Sequence, residues 1–164
     1  MNALFIGRFQ PFHNGHLKVI QNFSNKFDEI IIGIGSSQYK DTIENPFSYE
    51  ERKLMITKSL ENIDVKNFRI ELIPDIHNPP KWVEHVCSII NDFDIVLTNN
   101  SFTKKLFLDS GYLVQKTPIY KREIFSGKNI RNKIKNGEEW KNLVPKEVFK
   151  IIQNLNGEER LKKL

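Results

Sequence analysis

Five short apolar runs, each followed by a stretch with helical spacing, constrain this chain more than any other feature. Ala3–Ile6 is apolar, Glu29–Ile34 is β-branched and rich in isoleucine, and Phe68–Ile73 alternates apolar with polar residues. Asp94–Thr98 is again apolar, and Tyr112–Gln115 is a weaker run of the same kind. Runs of this length, ended by Gly, Pro or Asn, form buried strands. Between them, His16–Phe27 places Leu17, Ile20, Phe23 and Phe27 along one face. Ser48-Tyr-Glu-Glu51 is a capping box opening a helix with Leu54, Met55 and Leu60 inside. Lys81–Asn91 carries Trp82, Val83, Val86, Ile89 and Ile90, and Ser101–Asp109 stops before Gly111. This alternation predicts an α/β fold: an open parallel sheet of about five strands, flanked by helices through right-handed crossovers. After Lys116 the pattern changes to a loop and then helices only, roughly Gly127–Asn136 and Lys146–Leu155. The expected organisation is one domain over 1–164, with the sheet in 1–116 and a loop with a helical extension in 117–164.

The 164 residues, 39% hydrophobic and 27% charged, suit a domain that buries a core without disulfides or a structural metal. No apolar run approaches the ~20 residues of a membrane span, so no membrane partner is expected. The chain starts directly on a strand-like run with no signal peptide, and Cys87 has no second cysteine to pair with. A cytoplasmic protein is the expectation, with Cys87 a small core residue. The net charge of +5 suggests an anionic partner. Its lysines are scattered, and the densest stretch, Lys128–Lys135, holds four Lys/Arg in eight positions without interleaved aromatics. That favours a solvated surface or a small polyphosphate substrate over nucleic acid.

The string Gly7-Arg-Phe-Gln-Pro-Phe-His-Asn-Gly-His16 falls where the first strand passes into the first helix. In open parallel sheets ligands bind at the carboxyl ends of strands, near the topological switch point. His13 and His16 are three apart, so both rings face one side. Gly15 removes a side chain between them, and the helix N-terminus offers free N–H groups to phosphate. Two blander readings stand beside this one: a packed histidine pair, or part of a zinc site. Zinc needs further ligands, and His77, His85 and Cys87 lack finger-like spacing. No resident metal site is therefore expected. Gly33 and Gly35 are not a dinucleotide fingerprint either, since Gln38 stands at the third glycine.

The H-x-G-H string with G-R-F upstream resembles the nucleotidylyltransferase superfamily. With G-I-G-S-S-Q (33–38), E-N-P-F-S-Y-E-E-R (44–52), Asp75-Ile, Trp82-Val and the terminal N-G-E-E-R-L-K-K-L, the chain resembles the archaeal-type nicotinamide-nucleotide adenylyltransferases along its whole length. The resemblance implies a Rossmann-like sheet, substrates ATP and nicotinamide mononucleotide, Mg²⁺ bound with ATP, and a homo-oligomer, a hexamer in similar proteins. It implies that His13, His16 and Arg131 carry the reaction. Gly7, Arg8, Phe9, Gly15, Asn100, Arg122, Ser126, Gly127 and Lys128 would bind ATP and its phosphates. Trp82, Asp75, Ile76, Asn78 and Ser36 would bind the nicotinamide nucleotide. Three departures stand out: Lys128 where relatives carry threonine in S-G-T-x-x-R, Thr98-Asn99-Asn100 where they carry S-G-N, and Pro79-Pro80 before Trp82.

These residue types suit the reaction. An attacking phosphate monoester has a second pKa of about 6, so it needs no general base at pH 7. The site must align three atoms in line and neutralise charge growing on pyrophosphate. Histidines beside phosphates are expected to have raised pKa values. Read without the resemblance, Trp82 suits a core position, and Arg122 and Arg131 suit solvated charges. The same chemistry on nicotinate mononucleotide, pantetheine phosphate or FMN is the nearest alternative. A nucleotide sensor without turnover is the next.

Overall fold

The computed structural model describes residues 1–164. Five strands, β1 (Asn2–Gly7), β2 (Glu29–Gly35), β3 (Phe68–Ile73), β4 (Ile95–Thr98) and β5 (Leu113–Lys116), form one sheet in the order β3-β2-β1-β4-β5. All four pairings are parallel. The central strand runs in register from Asn2 opposite Glu29 to Gly7 opposite Ile34, and from Ala3 to Phe5 opposite Ile95 to Leu97. Both faces are covered, which is why the strands read as continuous apolar runs. Alternate residues divide between two cores. Ala3, Phe5, Ile30, Ile32 and Ile34 join the larger cluster, while Leu4, Ile31 and Val96 join the smaller.

The helices are α1 (Asn14–Phe23), α2 (Tyr49–Asn62), α3 (Trp82–Ile89), α4 (Ser101–Asp109), α5 (Gly127–Asn136), α6 (Lys146–Asn154) and α7 (Gly157–Lys162). Val83 and Val86 of α3 and Phe107 of α4 bury on the smaller core. Val19 and Ile20 of α1, and Met55, Ile56 and Leu60 of α2, bury on the larger one. Ile130, Ile134, Trp140, Val148, Ile152 and Leu161 belong to that same larger cluster. The C-terminal helices thus share their core with the sheet.

The structure departs from the sequence-based expectations at several places. Helix α1 starts two residues early, because His13 caps it, and ends at Phe23. Phe27 lies beyond the helix but still stacks on Phe23, with centroids 6.3 Å apart. Leu54 is 46% exposed: α2 buries Arg52, Met55, Ile56, Ser59 and Leu60, a face that excludes it. A 3-10 turn at Pro79–Lys81 precedes α3, and Ile89 is 37% exposed while Ile90 is buried. Helix α7 was not anticipated. It is clipped down by Arg160, whose guanidinium makes bonds of 2.6 and 3.0 Å to Glu51 and 2.8 Å to the Pro46 carbonyl.

The chain leaves β3 at one edge and crosses β1 to build β4 and β5 on the other side. The reversal opens a crevice at the carboxyl ends of β1 and β4, the usual ligand position in such sheets. No helix is long and apolar enough to cross a membrane.

Candidate active site

His13 and His16 cap α1 in a reciprocal box. The His13 Nδ1 accepts hydrogen bonds from the backbone N–H of Gly15 at 3.1 Å and of His16 at 3.4 Å. The His16 Nδ1 accepts one from the backbone N–H of His13 at 3.1 Å. Two imidazoles do here what a Ser/Glu pair does in the common capping box. Since each Nδ1 is an acceptor, each ring carries its proton on Nε2 and keeps one N–H to donate. The rings stack with centroids 3.6 Å apart, and Phe9 and Phe12 pack on His16 at 4.8 and 5.5 Å.

This arrangement reverses the expected direction of the histidine pKa values in the protein itself. Burial pushes His13 down from 6.5 to about 4. Burial, with the neighbouring His13, pushes His16 well below its usual value. A second proton would have to occupy Nδ1 and break the cap, so both rings are neutral donors at pH 7. The linked stability has a definite sign. His13 binds a proton more weakly folded than unfolded, so its neutral form stabilises the fold fully above pH 6.5. That stability is lost as pH falls from 6.5 towards 4. The loss is about 3 kcal/mol for His13 at low pH. Thermal unfolding of wild type and His13→Asn across this range should show the variant with the flatter profile; parallel profiles would contradict the assignment.

The rings lie on the wall of a cavity of about 540 Å³ in the crevice. Gly7, Arg8, His13, Gly15, His16, Asn100, Arg122, Ser126 and Gly127 all line it, with Thr98, Thr103, Thr117 and Tyr120. A side chain at Gly15 would place its Cβ 2.9 Å from the His13 ring and 3.3 Å from Phe125, so the imidazole itself requires glycine there. Asn100 and Ser126 also cap helices, accepting from Thr103 N–H at 2.9 Å and Asn129 N–H at 3.2 Å. Two helix N-termini besides that of α1 therefore border the cavity.

A second cavity of about 400 Å³ adjoins the first and is lined by Ser36, Asp75, Asn78 and Trp82. Gly7, Arg8 and Thr103 line both. His77 also lines the second cavity, a residue that sequence reasoning did not assign; its side chain contacts the Tyr39 hydroxyl. The Gln38 amide holds both the N–H and the carbonyl of Asp75, at 2.9 and 2.8 Å, which fixes this rim. Ile76 is exposed and lines neither cavity. Phe9 is buried against Phe5, Phe12 and His16, so it supports the ring that faces the crevice.

Lys128 and Arg131 line a third cavity of about 280 Å³, with Arg8, Glu44 and Lys135. Arg131 is half-buried and donates from Nη1 to the Gln10 carbonyl at 2.9 Å. Its guanidinium crosses Gly127, where a Cβ would lie 2.6 Å from Nη1. Burial, followed by Arg8, holds its pKa below the usual arginine value. Arg8, Arg122, Lys128 and Arg131 take part in none of the ion pairs of the structure. Their charge is free for an anionic ligand.

Residues 4–133 match the cytidylyltransferase-like family. The chain is 47% identical to the nicotinamide-nucleotide adenylyltransferase of Methanococcus aeolicus, covering all of this chain and 95% of that one. It is 42% identical to the enzyme of the same name from Archaeoglobus fulgidus, over 99% of this chain and 96% of its relative. The chain belongs to the nicotinamide-nucleotide adenylyltransferase family. Among solved structures, the bifunctional NMN adenylyltransferase/ADP ribose pyrophosphatase of Francisella tularensis, complexed with AMP and a manganese ion, superposes with a TM-score of 0.76 at 27% identity. The match covers 93% of this chain and 49% of that protein, so this chain spans about half its length.

Within this adenylyltransferase, no group of three or more His, Cys, Asp or Glu could hold a metal ion. No carboxylate lines the largest cavity. The lining offers Asn and Thr oxygens but no carboxylate, a donor set that suits a divalent ion arriving on phosphate oxygens better than one held by charged side chains.

Proposed function

We propose that this adenylyltransferase binds ATP in the largest cavity and nicotinamide mononucleotide in the second, forming NAD and pyrophosphate. The observation that carries the reading is the pair of imidazoles lining a crevice that shares Gly7 and Arg8 with a second cavity lined by Trp82. ATP enters as its Mg²⁺ complex, and the ion offsets phosphate charge. The acceptor phosphate attacks the α-phosphorus, the bond to the β-phosphate oxygen breaks, and pyrophosphate leaves with that electron pair. No side chain needs to remove a proton, because the acceptor is already mostly dianionic at pH 7. Holding attacking and leaving oxygens in line is worth roughly 7–11 kcal/mol.

The two Nε2–H groups donate to the triphosphate without bringing a formal charge. Arg8, Arg122 and the α4 and α5 N-termini supply the positive field. Arg131 and Lys128, on the third cavity, receive the departing pyrophosphate. Trp82 stacks on the pyridinium ring, a cation over an indole face. Ser36, Asp75 and Asn78 surround it.

A panel of acceptors assayed for pyrophosphate release tests the reading. Nicotinamide mononucleotide is expected to react; turnover of pantetheine phosphate or FMN alone would overturn it, as would tight nucleotide binding with no pyrophosphate released. In the same assay Trp82→Ala is expected to raise KM for the acceptor about tenfold, the scale of one stacking contact, with KM for ATP unchanged. An equal rise for ATP would place the indole elsewhere. The reading extends to a cytoplasmic protein and to a homo-oligomer, the latter supported by exposed Leu108 and Leu113 on the β5 side of the sheet. Light scattering should give a hexameric mass.

A further inference from the structure

Arg52, on α2, is fully buried, and no carboxylate forms an ion pair with it. Main-chain carbonyls alone receive its guanidinium. Nε donates to Ser48 at 3.1 Å, and Nη1 to Arg8 and Gly35 at 3.0 Å each. Nη2 lies 3.3, 3.5 and 3.4 Å from the carbonyls of Ser36, Ser37 and Tyr39. These acceptors belong to three segments: the turn after β1, the turn after β2, and the N-cap of α2. Burial lowers the pKa to about 10, with Arg8 the next cause, so the group stays charged at pH 7.

A buried cation without a counter-charge is costly, and apolar packing of the same volume is commonly as stable or more so. A rigid planar fork of five N–H groups does something apolar packing cannot: it fixes several carbonyls from separate segments in one geometry. Two of the segments it joins meet at the second cavity, which Arg8, Gly35 and Ser36 line, and the Arg8 turn borders the first cavity as well. Arg8 alone lines all three cavities, and Ser36, held at a positive φ of 47°, lines the second.

We infer that Arg52 is a positioning residue for adenylyl transfer, tying the Arg8 turn to the Ser36 turn so that the Arg8 side chain stands between the two substrates. The inference rests on the assignment of those cavities to ATP and the acceptor. It differs from a purely stabilising role in acting through Arg8.

Arg52→Lys keeps the charge and loses the fork. Up to about a 10²-fold fall in kcat is expected, the scale of a small misplacement of reacting groups, with KM for ATP changing less. In an Arg8→Lys background the same substitution is expected to cost much less, because the side chain it aims has already changed. Equal losses in both backgrounds would show additivity and overturn the inference. If Arg52→Lys does not fold, the wild-type protein supplies the test through the 15N resonance of its Arg52 Nε–H. That signal should exchange slowly and shift when a non-hydrolysable ATP analogue and the acceptor are both bound. An unmoved signal would overturn the inference. A wild-type protein that turns over no acceptor would instead sink the reaction assignment, which separates the two failures.

Discussion

Replacing His16 by alanine is expected to lower kcat by about 10²–10³-fold while raising KM for ATP far less, the pattern for a donor whose contact strengthens in the transition state. The His16 ring is held by its Nδ1 bond to the His13 N–H and by packing on Phe9 and Phe12. On the proposed assignment, its remaining donor would meet the phosphates without reorganising as charge grows on the leaving group. Part of the cap is lost too, which costs about 0.5–2 kcal/mol of stability. A thermal melt of the variant separates that loss from the kinetic one. A raised KM with unchanged kcat would mean uniform binding. The pH profile of the wild type adds a second check. With neutral rings, the acid limb follows the acceptor phosphate near about pH 6. A basic limb near pH 7 would reveal a required imidazolium.

Removing the Arg8 side chain should do more. Arg8→Ala is expected to reduce kcat/KM by about 10³-fold for both substrates, since charge-assisted contacts to phosphate are among the strongest available to a site. Arg8 is exposed, free of ion pairs, and borders each of the three cavities. After burial, its charge is the next cause that lowers the pKa values of the buried Arg52 and the half-buried Arg131. Stability should therefore hold or rise in the variant, because a like charge disappears beside one buried and one half-buried cation. Initial rates with ATP and acceptor varied in turn, alongside a melt, check both halves. A defect confined to one substrate would contradict the position of Arg8 between the cavities.

The sheet was legible because its physics is local and repeated. Runs such as Glu29–Ile34 are apolar on both faces, which only a strand covered on both sides requires. Helix ends marked by Ser48 with Glu51 and by Gly111 were legible for the same reason, whereas the caps at Asn100 and Ser126 emerged only in the fold. The histidine pair was legible as a contiguous string, but its protonation was not. That depends on which nitrogen the backbone engages, and the cap appears only in the folded turn. Arg52 was hidden because apolar spacing favours Leu54 for the interior of α2. Its buried position depends on carbonyls up to 44 residues away in sequence. His77 was equally hidden, since its place on the second cavity follows from a rim that Gln38 ties in from another strand end. Lys128 and Arg131 lie within one motif with Ser126 and Gly127 yet face a different cavity. Lys128, one residue into α5, and Arg131, three residues further on, share a face of the helix turned from the one that Ser126 and Gly127 present to the first cavity.

The most direct measurement is the 15N spectrum of the His13 and His16 imidazoles, recorded at pH 7 without nucleotide and then with a non-hydrolysable ATP analogue. Both rings should be neutral with the proton on Nε2 in the free protein, and nucleotide should move the Nε2 signals while leaving Nδ1 in its cap. Imidazolium signals in the free protein, or rings indifferent to saturating nucleotide, would contradict the account.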